Sequence, residues 1–283
     1  MKPEANTFEA IMVDITHRCN MECANCYLPN REIPDMDAEK LYDFCKRLPK
    51  RTYIRLIGAE PTMRDDIFDI IANVKSLGHH VSLTTNGLKL HRKDYVRKLK
   101  DAGLRLVLLS MNGADDDDIY KKVDCGKYAQ LKNRALKNLM DENFITNTGT
   151  IVLKNCNEHV IRRQYEILSQ YSPKIKSVMR LRTVAPLGRY MGPDFIYEFE
   201  EFKDLVCEEL GVTRRYMDQH AIGIKNSTSG IVFEMPKTIV RLVDWTVDDD
   251  GIPDSGNERR GRITEDFQIA PFFEHVKDNE NGY

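Results

Sequence analysis

The sequence predicts an α/β fold: a partial (βα)6 barrel core over residues 1–190 and an α+β extension over residues 191–283. Three observations carry this expectation. Short apolar, β-branched runs alternate with longer amphipathic stretches through the first two-thirds of the chain, the arrangement of repeated βα units around a parallel sheet. Six such runs occur, enough for a partial barrel. After Arg189 the rhythm changes.

The strand expectations, in order, are Ala10–Ile15, Tyr53–Ile57, His80–Thr84, Leu104–Leu109, Thr148–Leu153 and Val178–Thr183. Between them, apolar residues recur at three and four positions, which predicts helices at Ala38–Leu48, Ile67–Ser76, Lys93–Ala102, Ala129–Met140 and Glu158–Gln170. Asp115–Asp118 precedes a short helical stretch, where acidic side chains complement a helix N-terminus better than they suggest a metal site. In the extension, a helix is expected at Tyr197–Leu210. Strands are expected within Ile222–Val247, about a turn at Asn226–Gly230. Asp248–Arg262 reads as a loop and Ile269–Phe273 as an apolar patch able to dock. Together, Asp248–Phe273 suggests a cover over a substrate pocket.

With 283 residues, 41% of them hydrophobic, the chain can build a core without a disulfide scaffold. Its 42 basic and 44 acidic residues leave a charge of −2, which gives no reason to expect nucleic acid or a membrane surface as partner. Met1–Glu9 is polar, and no window approaches the roughly 20 apolar residues that cross a bilayer. A soluble, cytoplasmic protein is expected. The seven cysteines support this, because three crowd into Cys19–Cys26 while Cys45, Cys125, Cys156 and Cys207 are dispersed. That distribution suggests one metal site rather than a disulfide framework.

Cys19-Asn-Met-Glu-Cys23-Ala-Asn-Cys26 follows the first expected strand, so it occupies a loop at the C-terminal edge of the sheet, where barrel proteins build active sites. Three thiolates can hold three irons of a cubane and leave the fourth open, whereas a structural site ordinarily supplies four protein ligands. On spacing alone, a zinc site completed by His17, or three unrelated thiols, remain alternatives.

The Cys-x3-Cys-x2-Cys pattern resembles the signature of the radical S-adenosylmethionine (radical SAM) superfamily. The resemblance implies a radical SAM-type partial barrel, a [4Fe-4S] cluster on Cys19, Cys23 and Cys26, and S-adenosylmethionine chelating the fourth iron. One-electron reduction would then cleave the cofactor to a 5′-deoxyadenosyl radical that abstracts hydrogen from an organic substrate, a small metabolite or peptide. A one-electron reductant such as flavodoxin or ferredoxin is the implied partner. Many members carry an aromatic residue before the third cysteine. Here that residue is Asn25, and Tyr27 is the partial substitute near the adenine.

Gly58-Ala-Glu-Pro61 resembles the superfamily's Gly-Gly-Glu-Pro motif, which assigns Gly58, Ala59 and Glu60 to the cofactor's ammonium. The physical logic is independent: glycine admits close backbone approach, proline stiffens the turn, and a carboxylate at a strand's end can pair with a cation. Thr84-Thr-Asn-Gly87 and Ser110-Met-Asn-Gly113 resemble loops that contact the ribose and methionine portions, which makes Thr84, Asn86, Ser110 and Asn112 cofactor-binding candidates. Arg180 and Arg182 alternate with Leu181, so both guanidinium groups project to one side. Arg182 is the candidate for the cofactor carboxylate.

With no cysteine after Cys207, only the N-terminal cluster is expected. A glycyl-radical activating enzyme and a non-catalytic iron–sulfur sensor or electron carrier are the competing functions. Bond formation, dehydrogenation, rearrangement and epimerisation fit the sequence equally. For an epimerisation the hydrogen donors would be Cys156 and Cys125, placed by the sequence in loops at the active-site edge.

Overall fold

The computed structural model describes residues 1–186, 188–189, 191–222, 231–245 and 260–272. The elements run β1 (Ala10–Asp14), α1 (Ala38–Arg47), β2 (Tyr53–Ile57), α2 (Ile67–Ser76), β3 (His80–Thr85), α3 (Lys93–Asp101), β4 (Leu106–Ser110), α4 (Asp117–Val123), α5 (Ala129–Asp141), β5 (Ile145–Ile151), α6 (Val160–Ser169) and β6 (Val178–Arg182). There follow α7 (Phe199–Leu210), α8 (Arg214–Gln219), β7 (Val232–Glu234), β8 (Ile239–Val243), β9 (Arg260–Ile263) and β10 (Ile269–Pro271).

The strands form one sheet in the order β10-β9-β1-β2-β3-β4-β5-β6-β8-β7. All neighbours from β9 to β8 pair in parallel, and the antiparallel strands β10 and β7 end the sheet. Helices α1, α2, α3, α5 and α6 bury their apolar stripes against the outer face of the strands, in the core formed by residues such as Ile11, Ile54, Leu83, Leu109, Ile71 and Leu136. Local signals fix several ends. Asp37 caps α1 by accepting from the Lys40 amide, and Asp116 caps α4 by accepting from the Asp118 and Ile119 amides.

The mixed α/β class with a mostly parallel sheet agrees with the sequence expectation, and the structure refines the details. β5 starts at Ile145 rather than Thr148, and β4 runs Leu106–Ser110. The short helix α8 was not anticipated. Residues beyond 190 lengthen the same sheet at both edges, because β8 pairs with β6 and β9 with β1. β9, Arg-Gly-Arg-Ile, falls partly in the stretch expected to be a loop. Its polar sequence hid it. A side chain at Gly261 would meet Ile269 at 2.6 Å and Phe8 at 2.8 Å, so glycine lets the strand close onto its neighbours. The expected turn at 226–230 lies outside the described residues, as does half of the expected cover, at 248–259 and 273.

Candidate active site

The cysteine loop connects β1 to α1 and is fastened along its whole length. The Ile15 amide donates to the Ile57 carbonyl, Ala59 to Thr16, and Glu60 to Arg18, which binds the loop's first residues to the tip of β2. Gly58 permits this approach: its φ is +129°, and a Cβ there would lie 2.3 Å from the Thr16 carbonyl oxygen. Farther along, the Ala24 amide donates to the Val123 carbonyl at the end of α4, and the Arg189 amide to the Cys26 carbonyl at 2.8 Å. Arg189 also pairs with Glu22 at 2.8 Å. The returning limb is held by Asp35, which accepts from the Thr16 hydroxyl and pairs with Arg18. Arg64 donates to both the Ile15 and Met36 carbonyls.

Cys19, Cys23 and Cys26 are half-buried free thiols on this loop. Two sulfurs face N–H donors: Arg31 Nη2 lies 3.3 Å from Cys26 Sγ, and Asn86 Nδ2 lies 3.8 Å from Cys19 Sγ. Burial raises the Cys19 and Cys23 pKa values, and at Cys23 the Asp124 carboxylate adds to the rise while Lys132 opposes it. Asn25 Nδ2, between the second and third cysteines, is buried without a hydrogen-bond partner. Among the described residues, no three His, Cys, Asp or Glu side chains group tightly enough to hold a single metal ion. Three thiols on one pinned loop, with donors directed at sulfur, fit an iron–sulfur cluster by donor chemistry.

Glu60 is fully buried and joins the tips of β2 and β3. Its Oε1 accepts from the Thr62 amide (3.1 Å), the Thr62 hydroxyl (2.5 Å) and the Thr85 hydroxyl (2.7 Å); Oε2 accepts from the Asn86 amide at 2.6 Å. Oε1 is therefore saturated, and only Oε2 keeps acceptor capacity. Asn86 bonds to Asn20 Oδ1 at 2.8 Å, which ties the tip of β3 to the cysteine loop. Asn112 is also enclosed: its Nδ2 donates to Asp124 at 2.8 Å and its Oδ1 accepts from the Ile151 amide. Asp124 in turn pairs at 3.2 Å with Lys132, whose side chain is 0% exposed and which donates to the Ser110 carbonyl.

Beneath the loop, the barrel interior holds a cavity of about 130 Å³. Tyr27, Thr84, Ser110, Asn112 and Arg182 line it, which brings five of the sequence candidates together. Arg180 lines it as well, so the alternating arginines of β6 point inward rather than to solvent. Arg182 stacks over the Trp245 ring at 3.8 Å. Burial raises the Tyr27 pKa, helped by the charge of Asp14, which is itself paired with Arg262 at 2.5 Å. Arg55, Arg260 and Phe272 complete the wall and were missed at the sequence level. For Arg55 the available signal was its alternation with Ile57 on β2.

Cys125 and Cys156 do not line this cavity. Cys125 is exposed with φ +59°, and Cys156 packs against the outer core near Glu158 and Lys122. The four carboxylates of Asp115–Asp118 are each engaged within the fold, in an ion pair to Arg163, the α4 cap, a bond from the Ala129 amide, and an ion pair to Lys121. A larger groove of about 410 Å³ on the outside of α6 is lined by His159, Arg163 and Glu209, which pair with neighbours on its own rim. It lies away from the cysteines.

The fold and this loop define a parallel-sheet partial barrel with a three-cysteine site at the C-terminal edge of its strands. A family model described as "Radical SAM superfamily" matches residues 13–163, more than half of the sequence, and the chain belongs to that superfamily. Its members are enzymes, and membership implies a [4Fe-4S] cluster and S-adenosylmethionine. Among curated relatives, a 7,8-dihydro-6-hydroxymethylpterin dimethyltransferase of Methanocaldococcus jannaschii is 33% identical over 112 residues, 37% of this chain and 22% of its own length. A probable GTP 3′,8-cyclase of Methanococcus aeolicus is 30% identical over 159 residues, 50% of this chain and 52% of its own. The chain thus spans about half or less of these two relatives. Streptococcus suis SuiB superposes with a TM-score of 0.68 at 15% identity, covering 96% of this chain and 61% of SuiB. That likeness concerns the fold. No helix among the described residues is long and apolar enough to cross a membrane.

Proposed function

We propose that the chain uses Cys19, Cys23 and Cys26 to hold a [4Fe-4S] cluster and directs a radical onto an organic substrate seated in the barrel. The observation that carries this reading is the three-thiol loop fastened over the cavity, with the Arg31 and Asn86 N–H groups facing two of its sulfurs. When bound, the cluster and S-adenosylmethionine supply a 5′-deoxyadenosyl radical. The chain's own residues orient and shield. Gly58 and Ala59 offer backbone groups at the loop's edge, and Glu60 Oε2 retains capacity for an ammonium. Thr84 and Ser110 present hydroxyls to the cavity, Asn86 and Asn112 brace its rim, Tyr27 offers a ring, and Arg182 is the candidate for a carboxylate. Trp245, Arg260 and Phe272 give residues 191–283 a share in the substrate wall and the exclusion of water. A flavodoxin or ferredoxin is the proposed reductant. All seven cysteines are free thiols, which supports a reducing, cytoplasmic setting. The two curated relatives carry names for different reactions, so neither name decides the substrate. Anaerobically reconstituted protein should bind about four irons and release 5′-deoxyadenosine on reduction with S-adenosylmethionine. Cys23→Ala should lose the visible absorbance and the product. A normal cluster in that variant defeats the assignment.

A further inference from the structure

The floor of the barrel carries positive charge that no acid among the described residues lining it neutralises. Arg55 on β2 and Arg180 on β6 face the cavity from opposite sides of the sheet's curve, and no Asp or Glu occurs among those lining residues. Arg180 Nε is buried with no hydrogen-bond partner, and after burial the largest influences on its guanidinium are other arginines. Arg55 makes one bond, from Nε to Ser82 Oγ at 3.4 Å, and no ion pair among the described residues. The Asp14 carboxylate on β1 is already taken by Arg262.

The surroundings add to the excess. In the parallel register Arg180 lies opposite Gly149 on one side and Arg241 on the other, so one neighbour is bare and the other is a second guanidinium. Burial, followed by Arg241, Arg182, Arg260 and Arg55, pushes the Arg180 pKa well below the arginine value. Burial, then Arg260 and Arg241, lowers that of Arg55 to about 10. Arginine side chains stay protonated in proteins at neutral pH, so both positions carry charge. A buried guanidinium with like charges around it is costly, and an anion seated among them removes that cost. S-adenosylmethionine cannot do this alone. It has a single carboxylate, for which Arg182 at the top of β6 is the candidate, and it brings two positive charges of its own.

We propose that Arg55 and Arg180 form the binding site for an oligoanionic, phosphate-bearing part of the substrate in the barrel floor. This rests on the reading that the cavity is the substrate site and names the class of substrate it takes. Planar guanidinium forks match phosphate oxygens in pairs. Two forks converging on one cavity from Arg55 and Arg180 suit two or more linked phosphate groups better than one.

The test is calorimetric titration of reconstituted, unreduced protein with sodium tripolyphosphate and, in a separate arm, with citrate. Tripolyphosphate should bind the wild type, and its affinity should fall roughly tenfold or more in Arg55→Met and in Arg180→Met. It should be unchanged in Lys46→Met, which removes an exposed charge paired with Asp43 on α1. Arg180→Lys, which keeps the charge and loses the fork, should retain part of the affinity, and thermal unfolding of each variant reports that it is folded. No binding to the wild type, or equal binding to the folded arginine variants, overturns the proposal. Tighter binding of citrate than of tripolyphosphate overturns its phosphate assignment. No electron or radical enters this measurement, so its failure is separable from that of the 5′-deoxyadenosine assay.

Discussion

Two regions of the barrel bury positive charge, and they do so in opposite ways. Lys132 reaches from α5 to the tip of β4, where the Asp124 carboxylate at 3.2 Å, the Ser110 carbonyl and the Tyr120 ring at 5.2 Å surround its ammonium. Both charges there have an internal partner, and the pair in turn fixes Asn112. Arg180 reaches into the cavity from β6 and finds Gly149 on one side and other guanidinium groups on the other. The first arrangement holds a loop in shape. The second leaves room and charge for an anionic ligand. The Glu60 network belongs with the first, since four donors from Thr62, Thr85 and Asn86 converge on one carboxylate.

The widest gap between the two regions should appear in stability. Lys132→Met leaves Asp124 buried and uncompensated, which should cost about 3–5 kcal/mol. Arg180→Met deletes a charge with no acid beside it among the described residues, and should leave the protein equally or more stable. Guanidinium unfolding of both variants measures this, and equal losses would mean that Arg180 has a partner in the fold. Next, Gly58→Ala forces a side chain into a φ of +129° and against the Thr16 carbonyl, with strain of about 1–3 kcal/mol on the limb that leads to Cys19. Iron content after reconstitution should drop along with stability. If the iron is retained in full, the fastening at Gly58 is not what positions the thiols. A loss of similar size is expected from Glu60→Gln, where an acceptor oxygen becomes a donor facing other donors. Losing one charge-assisted bond costs about 1.5–3 kcal/mol. A drop in melting temperature with unchanged S-adenosylmethionine affinity would make Glu60 purely a brace. A drop in affinity as well would show that Oε2 also serves the ligand.

Much of the site was legible because its signals are local. A strand, then three cysteines, then a strand ending in Gly-Ala-Glu-Pro is a contiguous pattern, and the edge of the sheet on which it falls follows from βα connectivity. Arg180 and Arg182 were visible as an alternating pair. Arg55 was not, because one arginine in Tyr53–Ile57 reads equally well as a solvent-facing position. Cys125 and Cys156 were placed in the correct loops, yet a loop's rim is wider than the cavity it surrounds. Both thiols fall outside the cavity wall.

The sequence by itself determined the rhythm of the core: which runs are strands, which stretches are helices, and which loop carries the thiols. Each follows from residue periodicity or from residues within a few positions of one another. Only the tertiary structure decided that a polar segment, Arg260–Ile263, becomes a parallel strand beside β1, since its place depends on Phe8, Ile11 and Ile269 closing around Gly261. Only it decided that Lys132 meets Asp124 while Arg180 meets no acid among the described residues. Pairing of buried charge depends on which distant residues share a low-dielectric space, and sequence separation carries no information about that.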